Sequence, residues 1–447
     1  MQRLLGKQLN RFHKDEDGGL AIFGLYMFLA MIVIGGIAVD VSNLIAARTQ
    51  LQVTADLAAH AALYSRDTET ADDSKLAALA VVEATMPRDT YGVVMTADDI
   101  LFGTYDYDTD RFTADATSRK AVLISTSRLQ ENANPVSSFL LQFVGFWEWD
   151  VAVQSVFTTF RPSCFREGFV ADGEVDIQSN NAFTNGFCIH SNTRVSMNSN
   201  NLFEAGTIVA MPDLNDFDMP TSGWDSNEGI GAALREGEYR LRIVNKLPTI
   251  IQGLANLDPE YLPSYIDTSL GLNYVTVRNG KGLSMANLAA NQVNIVSCHN
   301  NGVLPINDGN KQVGFHAISN VVIVTACDIK FDQGLEIQDS IIATTSVDNK
   351  SITSPSSLLI GRDDNCSSGG DVQILTLGGV EFSSGVNIFG SQVIAVKDIS
   401  FTANADGIHG ASLIAGGVIS GTSNMDMGFC GTGMENNFEA EYFRLAL

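Results

Sequence analysis

From Leu20 to Val39 the chain reads LAIFGLYMFLAMIVIGGIAV, 20 residues without a charge. At about 1.5 Å per residue such a run covers the roughly 30 Å of bilayer hydrocarbon, so the pattern predicts a transmembrane helix over 20–39. A cleaved signal peptide is the alternative, but its apolar core is shorter, about 7–15 residues, and a small-residue cleavage site follows it. Here the next segment, Asp40 to Tyr64, is free of Gly and Pro. Its apolar positions Leu44, Ala47, Leu51, Ala55, Ala58 and Ala62 recur at spacings of three and four, which predicts one face of a helix continuous with the span. A second Ala-rich helix is expected at about residues 72–84, stopping before Met86-Pro87.

Residues 90–160 change character. Runs at Ile100–Tyr105, Ala121–Ser127 and Trp149–Phe160 read as strands, VAVQSVFTTF showing the alternation, and an apolar stretch Val136–Phe146 starts behind Pro135. Residues 40–160 therefore read as a helix continuous with the span and a small α/β domain against it.

Beyond Cys164 a period of 20 emerges. EVDIQSNNAF (174–183) and RVSMNSNNLF (194–203) match at Val175/Val195, Ser179/Ser199, Asn180/Asn200, Asn181/Asn201 and Phe183/Phe203, with Gly186/Gly206 following. GSQVIAVKDISFTAN (390–404) and GASLIAGGVISGTSN (410–424) match at Gly390/Gly410, Ile394/Ile414, Ala395/Ala415, Ile399/Ile419, Ser400/Ser420, Thr402/Thr422 and Asn404/Asn424. Short β-rich runs at a fixed period, with Asn, Gly and Ser at the corners, predict a solenoid whose coils bury apolar rows that one coil alone cannot. A right-handed parallel β-helix over 161–447, with about 20 residues per coil, is the natural form. Leucine-rich repeats share the length but not the Leu and Asn scaffold, and a β-sandwich is the other competitor. The triplets Ile208-Val209-Ala210, Ile341-Ile342-Ala343, Val393-Ile394-Ala395 and Leu413-Ile414-Ala415 are expected to stack as equivalent strands. Residues 211–290 break the period, with a helical stretch around Glu228–Leu254, and are expected to protrude as an insertion offering a partner surface.

Charge gives the anchor a direction. Arg3, Lys7, Arg11 and Lys14 precede the span and only Arg48 lies close after it, so residues 1–19 are expected to form a cytoplasmic tail and the rest to be exported. With 51 Asp and Glu against 27 Lys and Arg and a formal net charge of −24, the exported surface disfavours nucleic acid and anionic lipid as partners. The six cysteines, Cys164, Cys188, Cys298, Cys327, Cys366 and Cys430, all fall on the exported side, where an even count suggests disulfides. Six cysteines allow 15 pairings. Proximity in sequence favours Cys164–Cys188, Cys298–Cys327 and Cys366–Cys430, and buried free thiols are the alternative.

No catalytic, cofactor or metal constellation stands out, and a non-enzymatic protein is expected. The six histidines, at 13, 60, 190, 299, 316 and 409, are dispersed, and no HExxH, CxxC or G-x-S-x-G pattern occurs. Asp106, Asp108 and Asp110 resemble the start of a calcium loop, but Arg111 and Thr117 stand where its glycine and glutamate belong, so a solvated turn is expected. Asp213, Asp216 and Asp218 likewise read as an acidic loop. An envelope protein that binds or cleaves acidic polysaccharides is the alternative function. Against it, the repeats carry only Arg194 (174–210) and Lys397 (380–430) as basic residues.

The segment RFHKDEDGGLAIFGLYMFLAMIVIGGIAVDVSNLIAARTQLQVTADLAAHAAL (11–63) resembles the N-terminus of TadG-like proteins of the TadE/TadG group, components of Tad (Flp) pilus assembly. The resemblance rests on acidic residues and Gly18 before the span, Ala38-Val39-Asp40 closing it, then Arg48, Leu51-Gln52 and Ala55-Asp56, about an eighth of the chain. It implies a pseudopilin-like single-pass protein of the bacterial inner membrane. The implied roles are pilus assembly, adhesion or biofilm formation, with other pilus-assembly or pseudopilin subunits and surface glycans as partners. The chain departs from many relatives in lacking the DxSxS metal motif of a von Willebrand A-type domain, whose place the β-helix region takes. The expected class is thus membrane-anchored α+β: transmembrane helix, pilin-like helix with small α/β domain, then β-helix.

Overall fold

The structure is a computed structural model that describes residues 18–278, 282–298, 302–307, 316–383, 385–401, 407–422 and 424–446. Apart from Gly18 and Gly19, the expected cytoplasmic tail lies outside the described residues, as do its basic residues, His13, His299, Thr402 and Asn404. The chain forms two compact units, one of Met1–Phe160 with Glu441–Leu447 and one of Arg161–Ala440.

In the first unit a single helix, Gly18–Arg66, runs for 49 residues and is long and apolar enough to cross a membrane. No breaker interrupts it at Asp40, so its apolar first part and the part that follows are one rod. Beyond the span, Ala47, Leu51, Ala55, Ala58 and Ala62 are buried. The small Ala side chains let the helix approach a sheet closely, and the shared core includes Ile100, Phe102, Val122, Ile124, Val151 and Val153. Helix Ala71–Thr85 is capped by Thr70, whose hydroxyl accepts from the Asp73 amide at 3.2 Å.

The sheet is antiparallel throughout, in the order Arg111–Ala114, Ile100–Asp106, Ala121–Arg128, Val151–Phe160, Tyr442–Leu445. Alternation in VAVQSVFTTF turns Val151, Val153 and Ser155 inward and Ala152 and Gln154 outward. The Asp-rich segment is a turn joining the first two strands, where Asp106 Oδ1 accepts from the Asp108 amide at 2.9 Å. The apolar stretch Val136–Phe146 is no strand. Only Val136–Ser137 pairs, with Glu148–Trp149, and the residues between form a tip with a short 3-10 turn, Leu141–Val144. Strand Tyr442–Leu445 follows the whole second unit in sequence, so that unit is inserted between two neighbouring strands of this sheet.

The second unit is a large β-rich region of parallel sheets, built as three ladders. One runs through Leu234–Glu236, Ile208–Met211, Cys188–Ser191, Gly168–Ala171, Ser412–Ala415, Gln392–Ala395, Val372–Thr376, Leu335–Thr344, His316–Thr325, Val293–Cys298 and Leu272–Val277. A second includes Leu202–Phe203, Ala182–Thr184, Asp426–Gly428 and Ile408–His409. A third includes Val195–Met197, Val175–Ile177, Ile419–Thr422 and Ile399–Phe401. The 20-residue matches are these pairings: Val175 faces Val195, Phe183 faces Phe203, Ile394 faces Ile414.

The order of strands is not the order of the chain. The stack begins in its middle at Gly168, proceeds to Leu234–Glu236, restarts at the far end with Leu272–Val277, and returns to close on Gly168 through Ser412. Residues 237–271 make the long return, and here the expectation of a protrusion is corrected. Helix Arg242–Ala255 lies over strands Val293–Cys298, His316–Thr325, Val372–Thr376 and Gln392–Ala395, with Ile243, Val244, Leu247, Ile250, Ile251 and Leu254 buried. Leu375 and Ile394 face away from the main core yet are buried as well, because this helix covers them.

One inward row, Ile323, Ile342, Ile374, Val393, Leu413, Phe169, Ile189 and Val209, crosses the joint without interruption and is fully buried. The four apolar triplets all lie in this ladder, but not in one register. Val393 and Leu413 enter the row as first residues of their triplets, Ile342 and Val209 as second residues, because the row selects side chains by facing and not by position in a motif.

Asparagine sets the corners. Asn180, Asn200 and Asn424 have φ of 66°, 66° and 53°, the left-handed region that Asn tolerates better than most residues. The next asparagines form a buried amide ladder. Asn201 Oδ1 accepts from Asn181 N and Nδ2, both at 2.9 Å, and Asn227 Oδ1 from Asn201 N at 2.8 Å and Nδ2 at 3.0 Å. Across the joint, Asn181 Oδ1 accepts from the Met425 amide at 3.2 Å, a pair 244 residues apart.

The two kinds of corner asparagine should respond differently to substitution. Asn201→Ala strands two buried donors of Asn181 and should cost about 2–4 kcal/mol, whereas Asn200→Gly keeps the left-handed turn and should change stability by less than about 0.5 kcal/mol. Chemical denaturation of the full chain in detergent measures both.

Candidate functional site

Asp40 sits one residue past the apolar span and is buried. Its carboxylate accepts from three consecutive backbone amides of the tip: Phe139 at 2.7 Å, Leu140 at 3.1 Å and Leu141 at 2.6 Å. Burial alone would raise its pKa, but the three donors outweigh that and hold the carboxyl below the usual range. The arrangement caps the turn Leu141–Val144 with a charge borne on another helix. Asn43 adds a bond from its amide to Ser137 O at 3.3 Å.

About three turns beyond Asp40 along the helix, Gln52 Nε2 donates to Asp56 Oδ1 at 2.9 Å and to Gln154 O at 3.1 Å. Arg48, exposed, lines an open depression with Gln52, Ser125, Ser127 and Gln154. Gly18 is the first helical residue. The five positions Gly18, Asp40, Arg48, Gln52 and Asp56 thus share one helix but not one cluster. Asp40 ties that helix to the tip and Gln52 ties it to the sheet, while Asp56 accepts from Gln52 within the helix.

In the second unit the six cysteines form three disulfides, Cys164–Cys188, Cys298–Cys327 and Cys366–Cys430, with Cα separations of 5.0, 6.2 and 5.8 Å. The segment around Cys430 is fastened by buried polar groups that no local sequence pattern marked. Glu167 accepts from the Cys430 and Gly431 amides, and Asp371 from Asn436 N and Nδ2, both at 2.9 Å. Burial raises both carboxyls above their ordinary range. Gln392 completes the set, accepting from Phe438 N at 2.8 Å and donating to Phe438 O at 3.0 Å.

Among the described residues, the histidines and the basic side chains of the repeats stay apart. His60 packs against Phe157 and Phe443, His190 is buried beside Tyr239 with Nε2 2.8 Å from Asn192 Oδ1, and His409 stacks on Phe389. Arg194 pairs with Glu174 at 2.9 Å across adjacent strands, and Lys397 Nζ donates to Val347 O and Asn349 Oδ1 at 2.6 and 2.7 Å. Among the described residues no group of three or more His, Cys, Asp or Glu could hold a metal ion.

Two outcomes follow for these tie points. Each disulfide should contribute about 3–4 kcal/mol by restricting the unfolded chain, most for Cys366–Cys430 with its separation of 64 residues; denaturation with and without reductant, and of Cys366→Ser/Cys430→Ser, reads this. Asp40→Asn should speed amide exchange at residues 139–141 about tenfold or more. In the wild type that protection, present wherever the carboxylate is charged, should persist through the ordinary carboxylate range and be lost only as pH falls through the lowered pKa of Asp40.

Comparison with known families separates the two regions. Residues 18–73, which contain Asp40, Arg48, Gln52 and Asp56, match the Flp pilus-assembly TadE/G-like family. Residues 168–431 match a domain family of unknown function, DUF7867. No curated protein and no solved structure matches the chain. The second match takes in the parallel ladders from Gly168, at the joint, to Gly431, beside Cys430, which is more than half of the chain. With a TadE/G-like N-terminal region placed before it, the chain belongs to the DUF7867 family.

Proposed function

We propose that the protein is a non-enzymatic, membrane-anchored component of Tad/Flp-type pilus assembly that contributes to pilus biogenesis, adhesion or biofilm formation. The observation that carries this reading is the coincidence of the TadE/G-like match, residues 18–73, with a single helix. That helix is apolar enough to cross a membrane in its first part and packs on a sheet in its second. A helix of this kind acts as a pseudopilin-like stalk, its apolar end held in lipid and its amphipathic end carrying a folded head. Other pilus-assembly or pseudopilin subunits are its partners.

The stalk crosses a bacterial inner membrane with its N-terminus in the cytoplasm. Arg3, Lys7, Arg11 and Lys14 before the span support that direction, and three disulfides in the second unit support export to an oxidising compartment. The second unit is a right-handed parallel β-helix. What supports this is that equivalent strands about 20 residues apart pair in parallel in three ladders sharing one apolar core. Its role is to present an elongated, acidic, disulfide-tied surface outside the membrane.

Deleting the gene and counting surface pili by electron microscopy, with restoration by the full chain, tests the assignment. Piliation and attachment should both fall; if both stay at the parental level, the pilus role is wrong.

A further inference from the structure

The tip between Ser138 and Trp147, SFLLQFVGFW, contains no charged residue and exposes Phe139, Phe143, Val144, Phe146 and Trp147, the last at 63%. An uncharged, aromatic-rich patch of this kind is costly to leave in water. Its position says what covers it. A Cβ placed on Gly36 would lie 3.1 Å from Leu140 Cβ and 3.4 Å from Leu141 Cδ2, and Gly36 belongs to the apolar span, one helical turn before Asp40. At about 1.5 Å per residue, the tip therefore reaches roughly 5 Å past the end of the span, alongside the helix.

Backbone chemistry points the same way. Lipid tolerates a non-helical segment only where its polar groups find partners within the protein. Asp40 takes the amides of Phe139, Leu140 and Leu141. Ser138 N donates to Trp147 O at 2.8 Å, Phe143 N to Leu140 O at 3.2 Å, Gly145 N to Gln142 O at 3.2 Å and Phe146 N to Leu141 O at 3.1 Å. The Gln142 side-chain amide donates to Phe139 O at 2.6 Å, and Trp149 Nε1 at the hairpin base to Ser138 Oγ at 2.7 Å. Seven of the ten backbone amides from Ser138 to Trp147 thus find a partner within the protein, as a segment entering lipid requires.

We infer that residues 138–147 form a second membrane contact, an aromatic tip held by Asp40 against the end of the span and inserted into the interfacial layer of the bilayer. The partner is the lipid surface itself. Recognition is apolar, so it does not need anionic headgroups and is compatible with the acidic chain. Two contacts fix the tilt and rotation of the head on the membrane, which a lone helix leaves free. The inference rests on the reading of 20–39 as a membrane span.

The test uses the full chain in vesicles of zwitterionic lipid. The Trp147 signal is the difference in emission between Trp224→Phe and Trp147→Phe/Trp224→Phe, which leaves the Trp149 bond in place. A control puts a reporter inside the span, Phe28→Trp on the second background. Lipids brominated on the acyl chain near the headgroup should remove roughly half of the Trp147 emission, and aqueous iodide should remove several-fold less than it does for free Trp. Quenching by bromolipid at position 28 but not at 147 overturns the tip contact and leaves the span standing. Protection of Trp147 from both quenchers assigns the tip to a protein partner and also overturns it. No bromolipid quenching at either position removes the span and the tip contact together.

Discussion

The pairing of Gly168–Ala171 with Ser412–Ala415 is the joint on which the large unit depends. A parallel strand with apolar residues is stable only between neighbours that cover its edges and continue its buried row. Without this joint the unit would be two shorter stacks, each with an open edge. With it, Leu413 meets Phe169 in the same register that Leu413 keeps with Val393. The fit is tight: Gly168 has φ 151°, and a Cβ there would lie 2.3 Å from Cys188 O. Cys164–Cys188 and the bond from Ser412 Oγ to Phe165 O at 2.9 Å fasten the same place. Glu167 draws the segment carrying Cys430 onto it from the other side.

How much of this could be read beforehand depended on distance along the chain. Local periodicity exposed the long helix, because Ala47, Leu51, Ala55, Ala58 and Ala62 repeat within a few turns. The 20-residue period exposed the ladders for the same reason, since Val175 and Val195 are near neighbours in sequence as well as in space. The joint pairs residues more than 240 positions apart, as Met425 and Asn181 show, and nothing in either segment alone names the other. The return helix was legible only as the second half of a helical stretch expected over Glu228–Leu254, since residues 234–241 are strand and loop. Its burial was not, because its amphipathic face could equally have served a partner.

The candidate site shows the same division. Asp40, Gln52 and Asp56 stood out as members of a family pattern, but their hydrogen bonds lead to Phe139, Leu140, Leu141 and Gln154, which no pattern linked to them. The stretch Val136–Phe146 was visible as apolar, with no element assigned to it. It became a capped tip because Asp40 supplies acceptors for amides that a strand would have given to a neighbour. Composition was read correctly there, and the partner of the backbone decided the form.

Insertion of the second unit between Val151–Phe160 and Tyr442–Leu445 has a temporal side. A ribosome makes the first unit's helix and four of its strands, then the whole second unit, and only then the strand that covers the edge at Phe160. Until that moment the small sheet carries a raw edge, and the rungs at Gly168 wait as well, because their Ser412 neighbours are also made late. Both units are therefore completed by segments synthesised within a few dozen residues of one another. A chain built in this order carries unpaired strand edges for most of its synthesis, which is the condition under which proteins of high contact order depend on being held apart until they are whole.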